Sequence, residues 1–134
     1  MPPEVTMFKA SDAFGSYSVD DVGKAKEFYG KTLGLEVKDN MGGLELHVGE
    51  QRVHLYPKED HEPASFTVLN FPVGDIARAH DELTKLGISF GYQNDVELAT
   101  DAKGIYWGLD RGDGPNIAWF RDPAGNILSI VQDR

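Results

Sequence analysis

Apolar residues along this chain recur with two different periods, and the change from one to the other divides it into strands and helices. In Leu44-Glu45-Leu46-His47-Val48 and Arg52-Val53-His54-Leu55-Tyr56 they fall at every second position, the period of a strand with one covered face and one wet face. Gly49-Glu50-Gln51 between the two runs reads as the turn of a hairpin. After Asp20-Asp21 the apolar positions are Val22, Ala25, Tyr29 and Leu33, a helical stripe whose opening acids can cap the free backbone amides and complement the helix dipole. Gly34 stops that helix. A strand is expected over 13–19, a short strand over 35–38 and a turn over 40–43, and 7–9 is expected to pair weakly.

Residues 57–64 are polar and contain Pro57 and Pro63, the composition of a linker. Beyond them the pattern repeats. A strand over 66–73 leads to Asp75, a helix carrying Ile76, Ala79, Leu83 and Leu86 follows, and Gly87 ends it before a strand over 88–92. Val19-Asp20-Asp21-Val22 and Val73-Gly74-Asp75-Ile76 hold equivalent places, as do Leu33-Gly34 and Leu86-Gly87. The chain therefore reads as an α+β duplication of two βαβββ modules, about 7–58 and about 65–132, within one domain. The segment 94–115 is long for a connection and carries Ile105-Tyr106-Trp107; a lid over a ligand and an extra short strand both fit it.

Composition narrows the functional classes. The 134 residues suffice for a core without staples. There is no cysteine, which removes disulfides, thiolate nucleophiles and cysteine metal sites and suits a reducing compartment, so cytoplasmic residence is expected. No apolar run approaches the ~20 residues of a membrane span, and the first residues lack the features of a signal peptide. The formal net charge is −9, from 13 Lys and Arg against 22 Asp and Glu, without a basic cluster; nucleic acid is disfavoured, and the acidic surface serves solubility first, with attraction of a cationic ligand as the second reading.

The stretch 116–131 contains Asp122-Pro123-Ala124-Gly125-Asn126 between two strand-like runs, a turn in which Pro pre-sets one backbone angle and Gly can take a positive one. With the two modules, this stretch resembles the closing hairpin of the vicinal-oxygen-chelate superfamily, which holds glyoxalase I, extradiol dioxygenases and bleomycin-resistance proteins. The resemblance covers nearly the whole chain. It implies a curved open mixed sheet with helices on its outer face, a ligand on the concave face, and a homodimer with sites near the subunit interface.

In metal-using members four concave positions supply His, Gln or Glu to a divalent ion. Their counterparts here are Phe14, seven residues before Asp21; His54; Val68, seven residues before Asp75; and Ser129 in the closing hairpin. Only His54 is a competent ligand, against a usual minimum of three. No cofactor is expected, and a divalent metal has little support.

Strand alternation puts Arg52, His54 and Tyr56 on the wet face with Glu45 and His47, beside Phe14, Ser16 and Ser18 and opposite Val68 and Asn70. The expected ligand site comprises Phe14, Ser16, Arg52, His54, Tyr56, Val68, Asn70 and Ser129, with Trp107 as a candidate lid. His61 and His80 are expected to be structural or solvent-facing, and one of Trp119 and Phe120 must face the helices. Three functions follow: a metal-independent small-molecule binder of the bleomycin-resistance type; a metal-dependent lyase or dioxygenase of the glyoxalase type; and a metal-free isomerase-like enzyme with His54, or His47 with Glu45, as general base.

Overall fold

The computed structural model of the chain describes residues 7–91 and 100–134. Two sheets of four strands carry the fold. The first contains β1 (Gly15–Val19), β2 (Glu36–Asn40), β3 (Gly43–Val48) and β4 (Gln51–Pro57) in the order β1-β4-β3-β2. The second repeats that order as β5-β8-β7-β6, with β5 (Thr67–Pro72), β6 (Ile105–Trp107), β7 (Asn116–Arg121) and β8 (Ile127–Gln132). In each, the first strand runs parallel to the last while the other pairs are antiparallel. The duplication seen in the sequence is thus a repeated topology, split between two hydrogen-bonded sheets.

Helix α1 (Val22–Glu27) starts where the stripe predicts: Asp21 Oδ1 accepts the Lys24 amide at 3.0 Å. It continues as a wider π-helical turn over Phe28–Thr32 and ends before Gly34, whose φ is +75°. Helix α2 (Ile76–Lys85) is capped in the same way by Asp75, which accepts the Arg78 amide at 3.2 Å. On α2 the buried stripe is shifted, because Leu86 lies beyond the helix and is exposed while His80 is buried.

One core serves both modules. Leu44, Leu46, Val53 and Leu55 of the first sheet join Ala25 and Tyr29 of the helical layer, and Ile76, Phe120, Leu128 and Ile130 of the second module complete it. Each fully buried side chain of this size is worth roughly 1.5–3 kcal/mol. The β2–β3 turn lets the sheet fold tightly: Met41 and Gly42 both have positive φ, 51° and 82°, the requirement of a two-residue turn matched to strand twist. Gly43 follows because a Cβ there would meet the Leu55 carbonyl oxygen at 2.1 Å.

Two expected strands are absent. Residues 10–12 form a single 3-10 turn and no strand is found over 7–9. The stretch from Ile88 makes one backbone bond to the sheet, Gly91 N–H to the Trp119 carbonyl at 2.9 Å, and forms no strand over 88–91; Tyr92 lies outside the described residues. The edge position beside β7 is held by β6 from the long connection. That settles 100–115 as a short strand followed by the short helix α3 (Gly108–Arg111), and residues 94–99 lie outside the described residues.

Candidate functional site

The site is built on the wet face of the first sheet. Register places Glu45 directly opposite His54, His47 opposite Arg52, and Ser16 beside His54. Val53 and Leu55 point the other way, into the core. The alternation read from the sequence therefore brings Glu45, His47, Arg52, His54, Tyr56 and Ser16 to one surface.

Two openings adjoin there, both lined in part by Val53. The smaller, of about 150 Å³, has Phe14, Asn40, Met41, Glu45, Arg52 and His54 as its other walls. The larger, about 400 Å³, runs along β1 to the start of β5 between Ser16, Tyr56, Phe66 and Val68, with Glu62 at its linker end. Phe14 is 57%, Tyr56 39% and Phe66 65% exposed, so the aromatic walls stand open to solvent.

The polar groups on this face differ in how far they are already used. His47 Nε2 is 2.7 Å from Glu45 Oε2, close enough for charge pairing but without hydrogen-bond alignment. Glu45 Oε1 accepts a long bond from Asn40 at 3.5 Å and lies 3.9 Å from the Arg52 guanidinium. Arg52 spans the Phe14 ring at 5.5 Å and donates from Nη2 to the Asp12 carbonyl at 3.2 Å. His54 stacks on Tyr56, ring centroids 6.3 Å apart and planes nearly parallel, and among the described residues its nitrogens have no hydrogen-bond partner.

The second sheet presents a different face. Tyr106, Trp119 and Ile127 bury one another against Ile117, and Trp119 Nε1 donates to Thr67 Oγ1 at 3.1 Å. Ser129 is fully buried, and its hydroxyl donates to Asn70 Oδ1 at 2.5 Å. The hydroxyl expected to face a ligand is spent inside the protein. Val68 borders the larger opening, as expected, while also packing against the main core, and the pairing of β5 with β8 slips beside it, between Thr67 and Leu69. Trp107 is no lid. It sits on β6 with its side chain against the main core, and Nε1 donates to Asp101 Oδ2 at 2.9 Å. Of the aromatic pair, Phe120 faces the helices and Trp119 the opposite side.

The remaining histidines hold the scaffold. His61 Nε2 bonds the Ala124 carbonyl at 3.0 Å and therefore carries the proton, leaving Nδ1 to accept from the Ser18 hydroxyl at 2.7 Å. This ties the linker to β1 and to the closing turn. His80 is held between the Lys103 carbonyl and the Asp81 carboxylate, both at 3.0 Å, with its ring on Phe90. His80 and then Lys103, as hydrogen-bond donors, hold the Asp81 carboxyl below its ordinary range.

Asp122, the first residue of the closing turn, is the hub of a buried network. It accepts the Tyr29 hydroxyl at 2.7 Å, the Ala124 and Asn126 amides at 2.9 Å and the Asn126 side-chain amide at 3.0 Å. Asn126 also donates to the Ser18 carbonyl, and Tyr17 bonds Tyr29 at 2.8 Å. Burial pushes both phenols well above the ordinary tyrosine range. The turn thus fastens the second module to β1 and α1 of the first.

A divalent ion of the kind implied by the resemblance does not fit these residues. Of its four counterparts, Phe14 and Val68 have no donor atom, Ser129 is buried and bonded to Asn70, and only His54 offers a nitrogen. Among the described residues no group of three or more His, Asp or Glu side chains is gathered as a metal ion would require. None of their helices is long and apolar enough to cross a membrane. Phe66, Asn40 and Met41 were not anticipated as walls; the Met41-Gly42 turn was the sequence signal, because it fixes the hairpin end beside Phe14.

Solved structures share this architecture. A glyoxalase family protein from Bacillus anthracis superposes with a TM-score of 0.64 at 20% identity, covering 92% of this chain and 96% of that one. TnmS3, an antibiotic binding protein from Streptomyces sp. CB03234, gives 0.61 at 20% identity over 95% and 100%. A glyoxalase family protein from Enterococcus faecalis gives 0.60 at 19% over 88% and 94%. At such identities the likeness is one of fold. No curated protein matches the chain. Residues 13–130 match the family described as the Glyoxalase/Bleomycin resistance protein/Dioxygenase superfamily, and with that match across both modules and the closing turn the chain belongs to this superfamily.

Proposed function

We propose that the chain is a metal-independent small-molecule binder whose ligand lies on the open face of the first sheet, against Phe14, Ser16, Arg52, His54 and Tyr56. The observation that carries this reading is the contrast between the two modules. His54 stands between open aromatic walls with no hydrogen-bond partner among the described residues, whereas Ser129 and Asn70 in the second module satisfy each other. Unspent hydrogen-bonding groups beside apolar walls are what a ligand site needs. That TnmS3 binds an antibiotic is in keeping with such a role.

A homodimer belongs to the same proposal, because Phe14 and Phe66 at the open edges would be covered by a second copy. The isomerase-like alternative has less support. No carboxylate orients His54, and Glu45 is paired with His47 instead. The test is a thermal-shift screen of aromatic small molecules on the wild-type chain and on His54→Ala. Compounds that raise Tm in the wild type should lose most of that shift in the variant. Equal shifts in the two proteins would place the ligand elsewhere and contradict the reading.

A further inference from the structure

We infer that the ligand carries a planar anionic group, a carboxylate on an aromatic ring, and that Arg52 is the residue that selects it; this rests on the site proposed above. The argument is a count of spent and unspent charge on one face. Glu36 is paired with Lys38 at 3.5 Å and Glu45 with His47 at 2.7 Å. Each carboxylate facing outward from β2 and β3 thus already lies beside a basic side chain. Arg52 does not stand in the same position. Its contact with Glu45 is 3.9 Å, beyond hydrogen-bond reach, and one bond to the Asp12 carbonyl uses one of the five N–H groups of the guanidinium.

Geometry supports the same choice. The guanidinium is held over the exposed Phe14 ring, and its planar array of N–H donors suits a forked pair of hydrogen bonds to a carboxylate. His54, across Val53 on the same strand, adds a second unspent group, and the Asn40 side-chain amide has only its long bond to Glu45. The smaller opening thus gathers the Arg52 guanidinium, the His54 ring and the Asn40 amide, with Glu45, which lies beside His47 and Arg52, as its one carboxylate. Its volume of about 150 Å³ limits what enters to a group of roughly one ring, with the larger opening beside it for the remainder of the molecule.

The inference runs against the whole-chain charge. A net charge of −9 suggests a cationic ligand, but exposed charges more than about 10 Å away are largely screened at ordinary salt. At contact range Arg52 decides. Glu62 borders the larger opening at its linker end, within electrostatic reach of Lys58.

Benzoate, benzamide and benzamidine have the same ring and differ in the charge of the substituent. Their affinities should be measured by calorimetry for the wild type and for Arg52→Gln, Arg52→Lys and His54→Ala. Benzoate is expected to bind best. Arg52→Gln should weaken it about tenfold or more, as loss of a hydrogen bond to a charged group does, while leaving benzamide unchanged. Arg52→Lys should restore only part of the loss, because an ammonium keeps the charge without the fork. Benzamide or benzamidine binding as tightly as benzoate, with His54→Ala weakening all three, would overturn the inference and leave the site standing. Binding of none of the three, or binding indifferent to every substitution, would overturn both.

Discussion

Met41 has φ of 51° and is almost fully exposed, so a side chain that disfavours left-handed backbone is held there without burial to offset the cost. Asn tolerates that conformation and suits this turn. Met41→Asn is expected to raise stability by about 0.5–1 kcal/mol, read as a higher urea midpoint at unchanged slope; no rise would mean that Met41 packs more firmly over the opening than its exposure indicates. The buried phenols make a second residue-scale prediction. With folded pKa values raised above the unfolded value of about 10, Tyr17 and Tyr29 contribute no pH dependence below it. The stability they hold is lost as pH climbs past it, because the unfolded chain ionises first. Denaturation midpoints should fall steeply above roughly pH 10, and Tyr29→Phe should flatten that fall by one ionising group while lowering stability at neutral pH by about 1–3 kcal/mol.

The closing hairpin shows what an element can and cannot disclose in sequence. Its turn was readable because Pro123, Gly125 and the flanking β-formers act locally. Its second task was not, because the partners of Asp122 and Asn126 lie on β1 and α1, around a hundred residues away. Removing the hub in Asp122→Ala strands one phenol, two backbone amides and a side-chain amide. A loss of about 3 kcal/mol or more is expected by denaturant titration; a loss below 1 kcal/mol would show that the network does not join the modules. The register slip beside Val68 was illegible for a related reason, since pure alternation carries no signal for a one-residue shift. The β3–β4 hairpin was read correctly because Leu44, Leu46, Val53 and Leu55 alternate without interruption.

At the scale of the molecule, the duplication yields two sheets of the same order with unlike faces. One is filled by Tyr106, Trp119 and Ile127; the other is open, with His54 unpaired. The sequence disclosed the family and the residues of the open face, because both depend on spacing. It did not disclose that Ser129 and Asn70 satisfy each other or that Trp107 bonds Asp101, because these depend on which side chains meet in the folded chain. The account's central claim is that a ligand is held here without a metal. Its most direct measurement is the ligand-induced rise in Tm of chain dialysed against EDTA, compared with chain given excess nickel, zinc, iron or manganese, with bound metal quantified in each. The account predicts substoichiometric metal and the same ligand shift in every sample. Stoichiometric metal that disappears in His54→Ala, together with a ligand shift seen only when metal is present, would contradict it.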